Sequence, residues 1–319
     1  MKVLVTGATG FVGGAVLRAL ATNGHEAVAA VRRADHALPA AVCPVRVGEL
    51  GPHTDWTEAL AGAEAVVHLA ARAHVLNDPD PDPLAVFRRV NRDGTVRLAE
   101  QAVAAGVKRL VFVSTIKVHG EATPPGRPFR PEDPPAPEDG YGLAKAEAEA
   151  ALADIAARTG MELVVIRPPL VHGPRAKGNL ASLMTAIARR MPLPLGAIDN
   201  RRSLVGVDNL ADLVRVCLEH PAAAGRSFLV RDSEDVSTPG LIRRLAGAMG
   251  RRPLLVPVPP ALLTAAGRLL GRQTTVERLL GSLTVDDAAT REVLGWQPRI
   301  GLDEGLSAMA AAWRARAGA

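Results

Sequence analysis

Tyrosine is almost absent from this chain: Tyr141 is the single one in 319 residues, and aromatic side chains make up only 3%. Cysteine is nearly as scarce. Cys43 and Cys217 stand far apart, which gives neither a disulfide framework nor the spacing of a metal site, so no metal is expected. No apolar run approaches the ~20 residues of a membrane span. The first residues, Met1 to Val5, read as a strand and not as a signal peptide. Long basic runs are missing as well. The net charge is +5 and the pI is near 9.7. Yet the arginines are scattered with few aromatics to stack on bases, so nucleic acid is not an expected partner. A basic cleft for a small, phosphate-bearing molecule accounts for the charge better. A cytoplasmic enzyme without a membrane partner is the expectation.

What the chain does have is alternation. Apolar strand-like runs at Val3–Val5, 25–31, Val42–Val47, Ala65–Leu69, Arg109–Val113 and Leu163–Ile166 are separated by segments with helical apolar spacing. Asp55 and Glu58 suggest a capping box for a short helix. Residues 83–105 predict one long helix, and 141–158 another. Such alternation argues an α/β fold, a doubly wound parallel sheet covered on both faces. After Pro168-Pro169 the rhythm turns loop-rich and then mostly helical, with Ser237 as an N-cap. This predicts a Rossmann domain over 1–167, rejoined in part by 203–230. A smaller, mostly helical C-terminal substrate lobe would comprise 168–202 and 231–319. The proline-rich, acidic stretch 122–139 precedes the Tyr141 segment, and long ordered loops are usually functional.

Gly7, Gly10 and Gly13 lie three apart between the first strand and the first helix. A Cβ at the first would obstruct the turn, at the second would hold off a pyrophosphate, and at the third would part helix from strand. The helix N-terminus then offers N–H groups and a positive dipole end to phosphates. The second strand ends Val31-Arg32-Arg33, with no acidic residue before Asp35. An acid there would bind the ribose 2′-OH, whereas arginine suits a 2′-phosphate. NADP(H) is therefore the expected cofactor, through Arg32 and then Arg33, with NAD(H) the alternative.

Tyr141 and Lys145 are four residues apart, one helical turn, and share a face. A phenol titrates near about 10, and an adjacent ammonium favours its phenolate. The hydroxyl pair Ser114-Thr115 ends an apolar strand. Phenol, ammonium and hydroxyl together describe an alcohol–ketone redox site.

The ordered motifs resemble the extended short-chain dehydrogenases/reductases of the NAD-dependent epimerase/dehydratase type. They include Thr6-Gly7-Ala8-Thr9-Gly10-Phe11-Val12-Gly13, His68-Leu69-Ala70-Ala71, Asn91-Arg92-Asp93-Gly94-Thr95, Ser114 to Gly120, Tyr141-Gly142-Leu143-Ala144-Lys145, Arg167 to Pro174, and Leu294-Gly295-Trp296-Gln297-Pro298. The resemblance implies Thr115, Tyr141 and Lys145 as catalytic residues. It implies cofactor contacts from Gly7, Thr9, Gly10, Phe11, Val12, Gly13, Glu49, Leu50, Leu69, Ala70, Ala71, Asn91 and Pro168, besides Tyr141 and Lys145. Val31 stands where the family has its ribose-binding aspartate, and His119 replaces a common tyrosine. His68 is expected to be a packed core residue.

Within the family, the chain is similar to bacterial enzymes acting at C4 of UDP-sugars. The likeness implies Asn179 and Arg202 at a diphosphate, where arginine's planar fork suits two oxygens. Leu180, Leu195, Thr115 and Lys117 complete the implied substrate contacts. The expected reaction is reduction of a UDP-4-keto-6-deoxy-hexosamine. The alternatives are a UDP-glucose or UDP-N-acetylglucosamine 4-epimerase with retained NAD, a steroid or small-alcohol dehydrogenase, and a non-catalytic NADP-binding sensor. A homodimer through the helices at 83–105 and 141–158 would also fit the family.

Overall fold

The computed structural model describes residues 1–33, 38–73 and 80–317; Asp35 lies outside them. The chain opens with β1 (Lys2–Thr6), α1 (Phe11–Thr22), β2 (Glu26–Val31), β3 (Cys43–Arg46), α2 (Thr57–Leu60) and β4 (Ala65–His68). It continues through α3 (Pro83–Phe87), α4 (Gly94–Ala104), β5 (Arg109–Val113), α5 (Gly140–Thr159) and β6 (Glu162–Arg167). Then follow β7 (Leu170–His172), α6 (Asn179–Ala188), β8 (Leu204–Gly206), α7 (Val207–Glu219) and β9 (Arg226–Leu229). The C-terminal part adds α8 (Thr238–Ala248), α9 (Pro260–Leu269), α10 (Gln273–Leu280), α11 (Ala288–Leu294) and α12 (Leu302–Ala317).

Seven strands form one sheet in the order β3-β2-β1-β4-β5-β6-β9, every neighbouring pair parallel. The order reverses between β1 and β4, and open α/β sheets bind ligands at that switch, beyond the strands' carboxyl ends. β7 and β8 pair separately. The inner strands β1, β4, β5 and β6 are buried on both faces, which is why they read as continuous apolar runs, while the edge strand β3 is largely exposed. One core packs α1 and α7 on the sheet, through Leu17, Leu20, Leu210 and Leu213. The other packs α2, α4 and α5 on the opposite face, through Leu60, Leu98 and Leu152. Each fully buried leucine contributes roughly 1.5–3 kcal/mol. A third core joins α6, α8 and α12 through Met184, Leu245 and Leu306. No described helix is long and apolar enough to cross a membrane.

Two local expectations need correction. The capping box at Asp55 does not form: its carboxylate accepts from Thr57 N (3.0 Å) and Thr57 Oγ1 (2.6 Å), and α2 starts at Thr57 without a side-chain cap. The Thr57 N–H and hydroxyl occupy the carboxylate oxygen that the Glu58 N–H would have used. The helix expected over 83–105 is not regular either. Between α3 and α4 the chain makes a wider π-helical turn over Arg88–Asp93, and such turns often mark functional sites.

Candidate active site

Most segments expected at the cofactor follow the carboxyl end of a strand, whereas Asn91 lies in the turn Arg88–Asp93 and Tyr141 and Lys145 lie on α5. The glycine turn follows β1, Arg32-Arg33 follow β2, Glu49 and Leu50 follow β3, Leu69 to Ala71 follow β4, Ser114-Thr115 follow β5, and Pro168 follows β6. Gly7 has φ +66, and a Cβ there would lie 2.8 Å from Ala70 N. At Gly13 a Cβ would approach Gly7 O to 2.1 Å, which forbids any side chain. A Cβ at Gly10 would meet only Gly7 O, at 3.0 Å. The turn's mouth is thus kept open beside the α1 N-terminus, which no side chain caps. The first four N–H groups of a helix lack intrahelical partners, so this cradle fits a dinucleotide pyrophosphate.

Behind the cradle runs a buried relay. Thr6 Oγ1 accepts from Leu69 N (3.2 Å) and Ala70 N (3.1 Å) and bonds His68 Nδ1 at 2.6 Å. His68 Nε2 bonds Thr95 Oγ1 at 2.8 Å, and that hydroxyl donates to Asn91 O at 2.7 Å. Thr6 donates to Nδ1, so the imidazole carries its proton on Nε2. Burial, with Lys145 adding, pulls its pKa down to about 3, which keeps it neutral. His68 is a core residue, as expected. Asn91 acts less directly than expected: its side chain clamps the Arg72 backbone, accepting from N (2.8 Å) and donating to O (3.0 Å). The π-helical turn carries Asn91 and anchors the loop after β4.

Thr115 is half-buried, extended (φ −158), and its hydroxyl accepts from Lys117 N at 3.3 Å. A Cβ at Gly142 would lie 2.8 Å from Lys117 O. The turn after Thr115 and the start of α5 therefore meet closely because residue 142 is glycine. Asp139 caps α5 by accepting from Gly142 N at 2.7 Å. Tyr141 packs edge-on to Phe87, with centroids 6.3 Å apart. Lys145 is 1% exposed; its Nζ donates to Val113 O at 2.8 Å and lies 4.0 Å from the Phe112 ring centroid. Burial pulls it down to about 7, against the charge of Glu149. The expected lowering of the phenol is not what the site gives. Burial pushes Tyr141 up, and Asp139 adds to the shift. Ser114 Oγ, beside Thr115, is buried without a hydrogen-bond partner among the described residues.

The substrate side is built from charges that pair with one another. Lys117, expected on the substrate, instead bridges Glu121 Oε1 (2.7 Å) and Asp139 Oδ2 (2.6 Å). Burial would raise Asp139, but Lys117 and the Gly142 N–H hold it below its ordinary value. Glu121 also pairs with Arg278, a residue the sequence reading missed. Arg202 donates to Arg278 O (2.9 Å) and Gly281 O (3.1 Å); burial pulls its pKa down, and Glu121 opposes that shift. Arg278 thus meets the buried Glu121 directly, while Arg202 bonds the carbonyls beside it. Asn179 is exposed at the first residue of α6. Leu180 is not available to a substrate: it is 2% exposed and packed in the third core with Met184. Leu195 is half-buried against the same core.

Other charged residues lie behind Lys145. Arg167 pairs with Glu149 (2.6 Å) and bonds His119 Nε2 at 3.0 Å. His119 stacks on Phe129 with centroids 5.5 Å apart, so the residue that replaces a common tyrosine is committed to packing. Arg32 lies 3.7 Å from Glu49, both well exposed. A carboxylate beside Arg32 disfavours an added 2′-phosphate, and the expected NADP preference is not supported. Glu49, expected at the adenine, faces solvent in this pair.

Residues 3–230 match the pattern described as the NAD dependent epimerase/dehydratase family. The chain is 45% identical over 314 residues to a UDP-glucose 4-epimerase from Vibrio cholerae, covering 98% of this chain and 95% of the relative. A UDP-glucose 4-epimerase from Mycolicibacterium smegmatis is 31% identical, covering 96% of both chains. Among solved structures, MoeE5 in complex with UDP-glucose and NAD superposes with a TM-score of 0.78 at 27% identity, covering 99% of this chain and 100% of that one. The UDP-glucose 4-epimerase of Thermotoga maritima, at 23% identity and a TM-score of 0.80, covers 99% of this chain and 100% of its own, and shares the fold.

Proposed function

The chain belongs to the NAD dependent epimerase/dehydratase family, and on that premise we propose that it interconverts the C4 epimers of a UDP-sugar with a retained NAD. It is an NAD-dependent nucleotide-sugar enzyme. The observation that carries the finer reading is the likeness to the Vibrio cholerae relative along nearly the whole chain. Epimerisation fits better than the expected reduction of a 4-keto-sugar. An epimerase returns its hydride within one turnover and needs no supply of NADPH, which agrees with the Arg32–Glu49 pair.

NAD, when bound, would supply the acceptor and donor of the C4 hydride. Gly7, Gly10 and Gly13 with the α1 N-terminus hold its pyrophosphate. Tyr141 takes the proton from the C4 hydroxyl and gives it back to the opposite epimer. Thr115 hydrogen-bonds the same oxygen. Lys145 orients the nicotinamide ribose and, when protonated, favours the phenolate. Arg202 and Arg278 would hold the diphosphate, which competes with Glu121 for the Arg278 guanidinium. Exchange is then redox-neutral: the C4–H and O–H bonds broken in the first half are remade in the second. Purified protein should interconvert UDP-glucose and UDP-galactose without added nucleotide, followed by chromatography of the products. No interconversion, together with oxidation of added NADPH by a UDP-4-keto-sugar, would restore the reductase.

A further inference from the structure

Nine large hydrophobic side chains stand out as exposed among the described residues, and six of them fall between residues 254 and 279. Leu269 is 88% exposed, Leu270 71% and Leu262 61%. Leu262, Ala266 and Leu269 recur at four- and three-residue intervals, so they share one face of α9. That face points away from the protein. Only Gly267 of α9 is buried, and no residue of α10 is. The two helices pack on each other where Gly267 admits Val276; a Cβ at Gly267 would come 2.7 Å from Val276 Cγ2.

The same stretch is basic. Residues 251–280 hold five arginines, at 251, 252, 268, 272 and 278, against one acid, Glu277. These thirty residues therefore supply most of the chain's net charge of +5. Arg268, in the last turn of α9, borders the apolar stripe, and Arg272, at the N-cap of α10 just past the Gly271 turn, adds a second charge at the same end of the hairpin. An apolar stripe edged by arginine is the pattern of a helix lying in the headgroup region of an anionic bilayer.

We propose that the α9–α10 hairpin docks this protein on an anionic phospholipid surface, with Leu262, Leu269 and Leu270 entering the acyl boundary and Arg268 and Arg272 meeting lipid phosphates. A second copy of the chain fits this face less well. A two-fold contact sets a patch against itself, and here arginine would oppose arginine. Docking also bears on the site, because the hairpin's end is tied to it: Asn200 donates to Leu279 O (3.1 Å) and Arg202 to Arg278 O (2.9 Å). The inference stands on exposure and charge and is independent of which sugar is turned over.

The test is co-sedimentation of the full-length protein with vesicles of phosphatidylcholine, with and without phosphatidylglycerol. Binding is expected only with phosphatidylglycerol and should weaken as salt is raised. Leu269→Glu/Leu270→Glu should abolish it. Arg268→Ala/Arg272→Ala should lower partitioning roughly thirtyfold, about 1 kcal/mol per arginine at an anionic surface. Both variants should keep the wild-type melting temperature and turnover of dissolved UDP-sugar, which separates lost docking from lost folding. Absence of wild-type binding, or equal binding by the leucine variant, would overturn the proposal. A wild-type dimer that ignores vesicles and becomes monomeric in the leucine variant would assign the face to a second copy instead.

Discussion

The two halves of the site are made of different material. The cofactor half is backbone: glycines that no Cβ can replace, a helix N-terminus, and carbonyls such as Val113 O that hold Lys145. The proposed substrate half is made of long charged side chains, Lys117 and Arg278 already paired with Glu121 and Asp139, and Arg202 bonded to backbone carbonyls. The first half is set by sterics and tolerates no change. The second is a balance of charges, which substitution shifts by degrees.

The largest effect should come where the halves meet. Tyr141→Phe removes the proton carrier and leaves both halves in place. Turnover should fall about 10²- to 10⁴-fold, while NAD released on denaturation stays at the wild-type amount. Retained turnover would remove the phenol from the mechanism. Next, Gly13→Ala puts a methyl group where Gly7 O stands 2.1 Å away. Overpacking of this kind costs about 1–3 kcal/mol, so the variant should melt lower and release less NAD. An unchanged NAD content would show that the turn yields more readily than its geometry implies.

A smaller, graded effect is expected in the charged half. Lys117→Met leaves Asp139 uncompensated next to Tyr141, whose phenol Asp139 already pushes up. The rise of turnover with pH, where the phenolate acts as base, should move to higher pH. At neutral pH the rate should drop on the order of tenfold. Adding Asp139→Asn should restore the profile, since asparagine caps a helix as well as aspartate does. If the double variant keeps the shifted profile, Lys117 acts on the substrate and not through Asp139.

The same contrast explains what could be read in the sequence. Gly7, Gly10 and Gly13, the apolar strands and the Tyr141–Lys145 pair are local patterns whose geometry follows from spacing alone. The Asp55 box failed because Thr57 offered its carboxylate a nearer donor. The π-helical turn at Arg88–Asp93 left no mark in the apolar period, yet Asn91 depends on it to hold the Arg72 backbone. Arg278 was missed because it meets Glu121 across more than 150 residues, and nothing nearby in the sequence sets it apart from other surface arginines. Arg32 was over-read for a related reason. Its partner Glu49 follows the next strand, and only the parallel register of β2 and β3 brings the two together. Leu180 was placed at the substrate from its neighbour Asn179, although one step along a helix turns a side chain by about 100°, here into the core.

The claim at the centre of this account is that one NAD takes and returns the same hydride at C4. UDP-glucose carrying deuterium at C4, incubated with the protein and no added nucleotide, tests it directly by mass spectrometry of the product. The account predicts UDP-galactose that keeps its deuterium at C4. Product in which protium has replaced the label, or no product until NADPH is supplied, would contradict it.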